Sequence, residues 1–190
     1  MPARIVVLAS GSGSLFQALI DEQPASNAYE IVALISDQPA AFAIDRAARA
    51  GINVAVIAVQ DFESREMWDF ALRDALDFYK PDLVVSAGFM RLIGPHVLAG
   101  YEGRIINTHP ALLPEFPGAH AVRDALAAGA TVTGSTVHWV DAGMDTGQVI
   151  RQESVAITPG DTETDLHEKI KVVERRLLVE VVTELSQDRG

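Results

Sequence analysis

Short apolar runs alternate along the chain with stretches whose apolar residues recur at helical spacing. Residues 4–9 (Arg-Ile-Val-Val-Leu-Ala) are apolar at both parities, as in a strand buried on both faces, and a Gly/Ser cluster ends them. Residues 14–21 read as helix. Residues 31–35 predict a second strand ending at Ser36-Asp37-Gln38-Pro39, 40–50 an Ala-rich helix stopped by Gly51, and 54–59 a third strand. Ser64 opens a helix to about Tyr79, which Pro81 cannot continue. Residues 83–87 form a fourth strand, and a short helical turn at 95–99 leads into a fifth at 104–110.

Beyond Pro110 the pattern changes. A Pro-studded loop (111–118) precedes a helix at 121–128 ended by Gly129, and residues 132–140 alternate as a strand should. Residues 148–157 are a second strand candidate, so the two predict an antiparallel pair joined by the loop 141–147. A long helix from 161 to about 185, capped by Asp161 or Thr162, closes the chain.

Strands alternating with helices imply right-handed βαβ crossovers. The expected fold is α/β: a single-domain Rossmann-like, mainly parallel open sheet with helices on both faces and an antiparallel C-terminal extension. The polar segments 10–14, 36–37, 88–91 and 107–110 all follow strands, so they share the carboxyl edge, where such sheets bind ligands. No linker composition divides the 190 residues, which predicts one domain over 1–190.

Composition narrows the function. The chain is 48% hydrophobic and 22% charged, ordinary for a globular protein, and has no cysteine, which removes disulfides, thiolate metal sites and a cysteine nucleophile. A net charge of -11 without a basic stripe argues against nucleic acid. No apolar run approaches the ~18 residues of a membrane span, and a cytoplasmic location is expected.

The strongest candidate chemistry lies in residues 104–110 (Arg-Ile-Ile-Asn-Thr-His-Pro). Side chains alternate along a strand, so Ile105, Asn107 and His109 share a face, successive members roughly 6.6 Å apart, and two hydrogen-bonding groups can converge on one small ligand. Pro110 ends the ladder. The competing reading gives Asn107 and His109 loop-capping and backbone-satisfying roles. Ser10-Gly11-Ser12-Gly13-Ser14, between a strand and a helix, suits either an anion such as phosphate or a tight turn. Asp37 would suit a dinucleotide's ribose, but Phe16 breaks G-x-G-x-x-G, and there is no Walker ending. His109 with Asp145 is a candidate acid/base pair, since a nearby carboxylate favours the imidazolium. His96, His120, His138 and His167 lack ligand-like spacing, so no metal site is expected; His138 reads as a packing or supporting residue, and Trp68 and Trp139 as core.

Residues 9–14, residues 87–93 (Ala-Gly-Phe-Met-Arg-Leu-Ile), Asn107-x-His109-Pro110-x-Leu112-Leu113-Pro114 and residues 141–147 together resemble the phosphoribosylglycinamide formyltransferases, folate-dependent one-carbon transferases of purine synthesis. The resemblance implies transfer of a formyl group from the co-substrate 10-formyltetrahydrofolate to the amino group of glycinamide ribonucleotide, without a metal. It implies Asn107, His109 and Asp145 as catalytic residues, the aspartate raising the pKa of the histidine. Gly13, Ser14, Leu15 and Lys171 would meet the ribonucleotide phosphate, and Glu174 its ribose. Met90, Arg91, Leu92 and Ile93, with Asn107, would line the pterin site, and Arg91 and Arg65 would meet the glutamate tail. A phosphate-binding half (about 1–100), a folate and catalytic half (about 101–190), small-molecule partners and compatibility with a homodimer complete the expectation. Leu15 departs from the family's usual Asn, so Leu15→Asn is expected to strengthen ribonucleotide binding. The rivals are another 10-formyltetrahydrofolate-dependent formyltransferase or hydrolase, for which a further domain would be expected, an NAD-dependent oxidoreductase, and a non-catalytic folate or nucleotide binding module.

Overall fold

The computed structural model describes residues 1–188. Its strands are β1 (Ala3–Leu8), β2 (Tyr29–Ser36), β3 (Asn53–Val56), β4 (Leu83–Ser86), β5 (Ile105–His109), β6 (Val132–Trp139) and β7 (Val149–Ala156). The helices are α1 (Ser14–Ser26), α2 (Phe42–Arg49), α3 (Arg65–Tyr79), α4 (Pro95–Tyr101), α5 (Ala121–Ala127) and α6 (Glu163–Gln187). One sheet runs in the order β3-β2-β1-β4-β5-β6-β7, parallel through β5 and antiparallel for β6 and β7.

Strand parity sorts the core into two layers. Ile5, Val7, Leu34, Val85 and Ile106 pack beneath α1, α2 and α6, with Phe16, Ala43 and Leu178 among their neighbours. The alternate residues Val6, Leu8, Ile35, Val84 and Ile105 pack against Trp68 and Leu72 of α3 and Val97 of α4. Asn107 and His109 share the parity of Ile105, whereas Thr108 shares that of Ile106, so β5 delivers polar groups to both sides of its end. Trp68 is fully buried core, its indole N–H donating to the Ile57 carbonyl at 2.8 Å.

The two largest departures from the expected boundaries are the ends of α1 and β3. Helix α1 runs past Asp21 to Ser26 with Pro24 in its last turn; the interruption is local because Asn27, in the left-handed region at φ 47, closes the helix by donating its N–H to Gln23. Strand β3 stops at Val56, and residues Val59–Asp61 turn as a 3-10 helix. Of the two caps the sequence offered for α6, Thr162 takes the role through a reciprocal pair with Asp165, while Asp161 holds Lys169 at 2.6 Å.

Gly13 precedes α1 at φ 70, and a Cβ there would lie 2.8 Å from that of Ala43, so both conformation and space require glycine. Leu15, two residues on, is 8% exposed and belongs to the core layer with Phe16 and Leu19. The gain expected from Leu15→Asn is therefore reversed. An amide there would replace buried apolar surface without a matching partner, and the variant is expected to lose roughly 2–5 kcal/mol in chemical denaturation, with no gain in ribonucleotide affinity. Unchanged stability with tighter ribonucleotide binding would show that position 15 serves the phosphate loop instead.

Candidate active site

The ends of β4, β5 and β6, with Glu163 and His167 of α6, border a cavity of about 370 Å³, into which they bring Met90, Arg91, Asn107, His109, His138 and Asp145. The β4 end supplies residues 88–93, the β5 end Asn107 and His109, and antiparallel register sets His138 opposite Asn107 and Thr136 opposite His109.

Asp145 reaches the strand end from the 141–147 loop. Asp141 folds that loop, accepting from Thr146 Oγ1 at 2.7 Å and the Gly143 N–H at 3.0 Å. Asp145 itself sits in the left-handed region at φ 55, a conformation Asp and Asn tolerate better than other side-chain-bearing residues. Its Oδ2 accepts the Gly118 N–H at 2.8 Å and lies 3.3 Å from His109 Nδ1; Oδ1 is 3.6 Å from His138 Nε2. Burial pushes the Asp145 carboxyl up, but the His138 contact, the Gly118 N–H and the charges of His109 and His138 outweigh it and hold the group below its ordinary value.

Each imidazole is oriented by a backbone carbonyl. His109 Nε2 donates to the Phe116 carbonyl at 2.8 Å, which leaves Nδ1 facing Asp145. His138 Nδ1 donates to the Trp139 carbonyl at 2.9 Å, and its Nε2 lies 3.3 Å from the Asn107 amide nitrogen. A neutral His138 accepts from that amide and fixes its orientation; a protonated one donates to Asp145. The sequence reading gave His138 a supporting or packing role; the structure gives it the supporting one, against Asn107 and Asp145 at the cavity lining. The signal was the antiparallel pairing of residues 132–140 with 104–110.

Other sequence-predicted residues lie around this centre. Arg65, outside the cavity lining, donates to the Leu92 carbonyl at 2.5 Å and stacks over Trp68, bracing the 88–93 loop from α3. Gly13 and Ser14 sit at the start of α1 on the same sheet edge, where Arg46, which the sequence reading passed over, donates to the Ser12 carbonyl at 2.8 Å. Lys171 and Glu174 project from α6, and Lys171 pairs with Glu168 at 2.8 Å. Glu174 is 5% exposed and accepts from Thr108 Oγ1 at 3.3 Å. Burial pushes its carboxyl up to about 7, against the hydrogen bond from Thr108 and the charges of Lys171 and Arg175. Among the described residues no group of three or more His, Cys, Asp or Glu is arranged to hold a metal. No helix of the described residues is long and apolar enough to cross a membrane.

The raised carboxyl of Glu174 sets a pH dependence. Folding increases its proton affinity, so it costs stability once the pH exceeds its ordinary 4.5, and the cost is complete above about 7. Acidification from about pH 8 to pH 5 removes that cost, and Glu174→Gln never carries it. In denaturant titrations without ligand, the wild type should gain on the order of 2–3 kcal/mol more than Glu174→Gln over that interval. Superimposable pH profiles would show that Glu174 is not proton-linked to folding.

Residues 3–182 match the family described as Formyl transferase, and the chain belongs to that family. A relative from Mycobacterium tuberculosis (strain ATCC 25618 / H37Rv), named phosphoribosylglycinamide formyltransferase, is 51% identical over 185 residues, 97% of this chain and 86% of that protein. The trifunctional purine biosynthetic protein adenosine-3 of Bos taurus is 42% identical over 177 residues, 92% of this chain but 17% of that protein. Among solved structures, glycinamide ribonucleotide transformylase 1 from Symbiobacterium toebii superposes with a TM-score of 0.96 at 40% identity, covering 99% of this chain and 89% of that one. Phosphoribosylglycinamide formyltransferase from Bacillus halodurans superposes with a TM-score of 0.94 at 41% identity, covering 98% of this chain and 97% of that one.

Proposed function

We propose that this protein transfers the formyl group of 10-formyltetrahydrofolate to the amino group of glycinamide ribonucleotide, a step of purine biosynthesis. The observation that carries this reading is the meeting of Asn107, His109 and Asp145 at the end of β5, beside a cavity bordered by residues 88–93. A formyl carbon attacked by an amine becomes tetrahedral, and its oxygen takes up negative charge. The Asn107 amide, held by His138, and the protonated His109, whose Nε2–H is anchored on the Phe116 carbonyl and whose Nδ1–H is shared between Asp145 and the new oxyanion, are the donors for that oxygen. The new N–C bond forms as the amine attacks, the amine gives up a proton, the bond from carbon to N10 breaks, and N10 receives a proton. His109 and Asp145 move that proton, and no covalent enzyme intermediate or metal is invoked.

The two substrates then approach from the two sides of β5 rather than occupying the two halves of the chain. Met90 to Ile93 and Arg65 would hold the folate. The α1 start with Gly13, Ser14 and the backbone at Leu15, together with Lys171, would hold the phosphate, and Glu174 is a buried acceptor suited to ribose hydroxyls. We place the protein in the cytoplasm, a location compatible with its lack of cysteine. Purified protein given both substrates should release deformylated folate, followed by absorbance, only when both are present, and EDTA should leave the rate unchanged. Turnover without the ribonucleotide would indicate a hydrolase, and a loss in EDTA restored by zinc would overturn the metal-free mechanism.

A further inference from the structure

The proposed reaction gives no task to Asp37, a carboxylate at the end of β2 whose side chain is wholly buried. Its two oxygens serve different loops. Oδ1 accepts the Ser10 hydroxyl at 2.5 Å; Oδ2 accepts Arg91 Nε at 2.7 Å and the Gln38 side-chain amide at 3.2 Å. Ser10 opens the Gly/Ser segment, and its Oγ accepts the Met90 N–H at 2.8 Å, while its own N–H donates to the Gly88 carbonyl at 3.1 Å. Strand β1 lies between β2 and β4 in the sheet, so one buried carboxylate joins three neighbouring strand ends.

The chemistry of this node demands an ionised acid. A hydroxyl has one proton, and with that proton committed to Asp37 the Ser10 oxygen presents lone pairs to Met90. Ser10 and Arg91 both donate, each to a different oxygen, so an amide at position 37 could satisfy only one of them and would turn an N–H toward the other. Burial pushes the carboxyl up, and the bonds from Ser10, Arg91 and Gln38 outweigh it, holding the acid below its ordinary value. The contact to Arg91 uses Nε, one of the five N–H donors of a guanidinium, so the terminal nitrogens stay available to a ligand.

We propose that Asp37 is a positioning residue for the formyl donor: acting through Arg91 and, by way of Ser10, through the Met90 amide, it sets the 88–91 loop in its folate-binding form before the donor arrives. The inference rests on the formyl-transfer reading. It also excludes Asp37 as a contact for a dinucleotide ribose, because both carboxylate oxygens are occupied below the surface.

The test compares wild type, Asp37→Asn, Arg91→Ala, the double variant, Ser10→Ala and Ser10→Thr in steady-state kinetics with both substrates varied, and in calorimetric titration with tetrahydrofolate. Asp37→Asn should raise the KM for 10-formyltetrahydrofolate roughly 10- to 100-fold while kcat and the ribonucleotide KM stay within about threefold. Its effect should largely vanish in the Arg91→Ala background, because the two residues act through one contact. Ser10→Ala should raise the donor KM and Ser10→Thr, which keeps the hydroxyl, should not; this pair answers the question if Asp37→Asn does not fold. A fall in kcat at unchanged donor KM, equal rises in both KM values, or a double variant showing the product of the two losses would overturn the assignment while leaving the formyl-transfer reading intact. A wild type that binds tetrahydrofolate more tightly than Asp37→Asn yet does not turn over 10-formyltetrahydrofolate with glycinamide ribonucleotide would do the reverse. Absence of both binding and turnover would overturn both.

Discussion

His109→Ala lowers kcat by on the order of 100- to 1,000-fold or more, with a far smaller change in either KM. The ring is 4% exposed and held at both nitrogens, by Phe116 at 2.8 Å and Asp145 at 3.3 Å, so it is already oriented when substrates bind. A donor pre-aimed at the position where charge develops contributes mainly in the transition state, which is why the loss falls on kcat. Asn107→Ala should lose a comparable factor, because the amide is the second donor and His138 holds its nitrogen at 3.3 Å. Single-turnover measurements at saturating substrates separate this outcome from slowed product release. A His109→Ala enzyme whose defect lay wholly in KM would make the histidine a binding residue and remove the case for an oxyanion donor at the end of β5.

Much of this arrangement was readable in the chain because it depends on parity and register. Continuous β-branched runs marked β1, β2 and β4 as buried on both faces, and the polar residues behind each run marked the edge that binds. Asn107 and His109 stood out because a strand of that parity has no packing use for them at its end. What could not be read were contacts between segments far apart in sequence. Asp37 and Arg91 are 54 residues apart, and the reading of each alone, a ribose acid and a folate contact, gives no hint that they pair. His138 became part of the site only once β6 paired with β5 so that it faced Asn107. Leu15 misled for a related reason: its loop position suggested a ligand contact, but the first turn of α1 aims it into the core. The Phe116 carbonyl carries no side-chain signal at all, although it orients the His109 ring and turns Nδ1 toward Asp145.

Asp145→Asn is expected to cut turnover by a factor approaching that of His109→Ala, and the way the two losses combine tests how the site works. Asparagine keeps the shape and tolerates the left-handed backbone at φ 55, so the change removes charge with little strain. In the wild type the Asp145 carboxyl is held below its ordinary 3.8 and stays ionised throughout the neutral range, ready to stabilise a positive ring 3.3 Å away. That stabilisation fails only when acid protonates Asp145 itself, at a pH below the ordinary carboxylate range. With asparagine there, the imidazolium loses the negative charge that stabilises it, so the residual activity should climb more steeply as the pH falls than that of the wild type. His109→Ala already removes the group that Asp145 serves, so the double variant should be little worse than the worse single one. Multiplicative losses, or an Asp145→Asn profile parallel to that of the wild type, would mean that the carboxylate acts on the substrates directly and that the 141–147 loop reaches the strand end for another purpose.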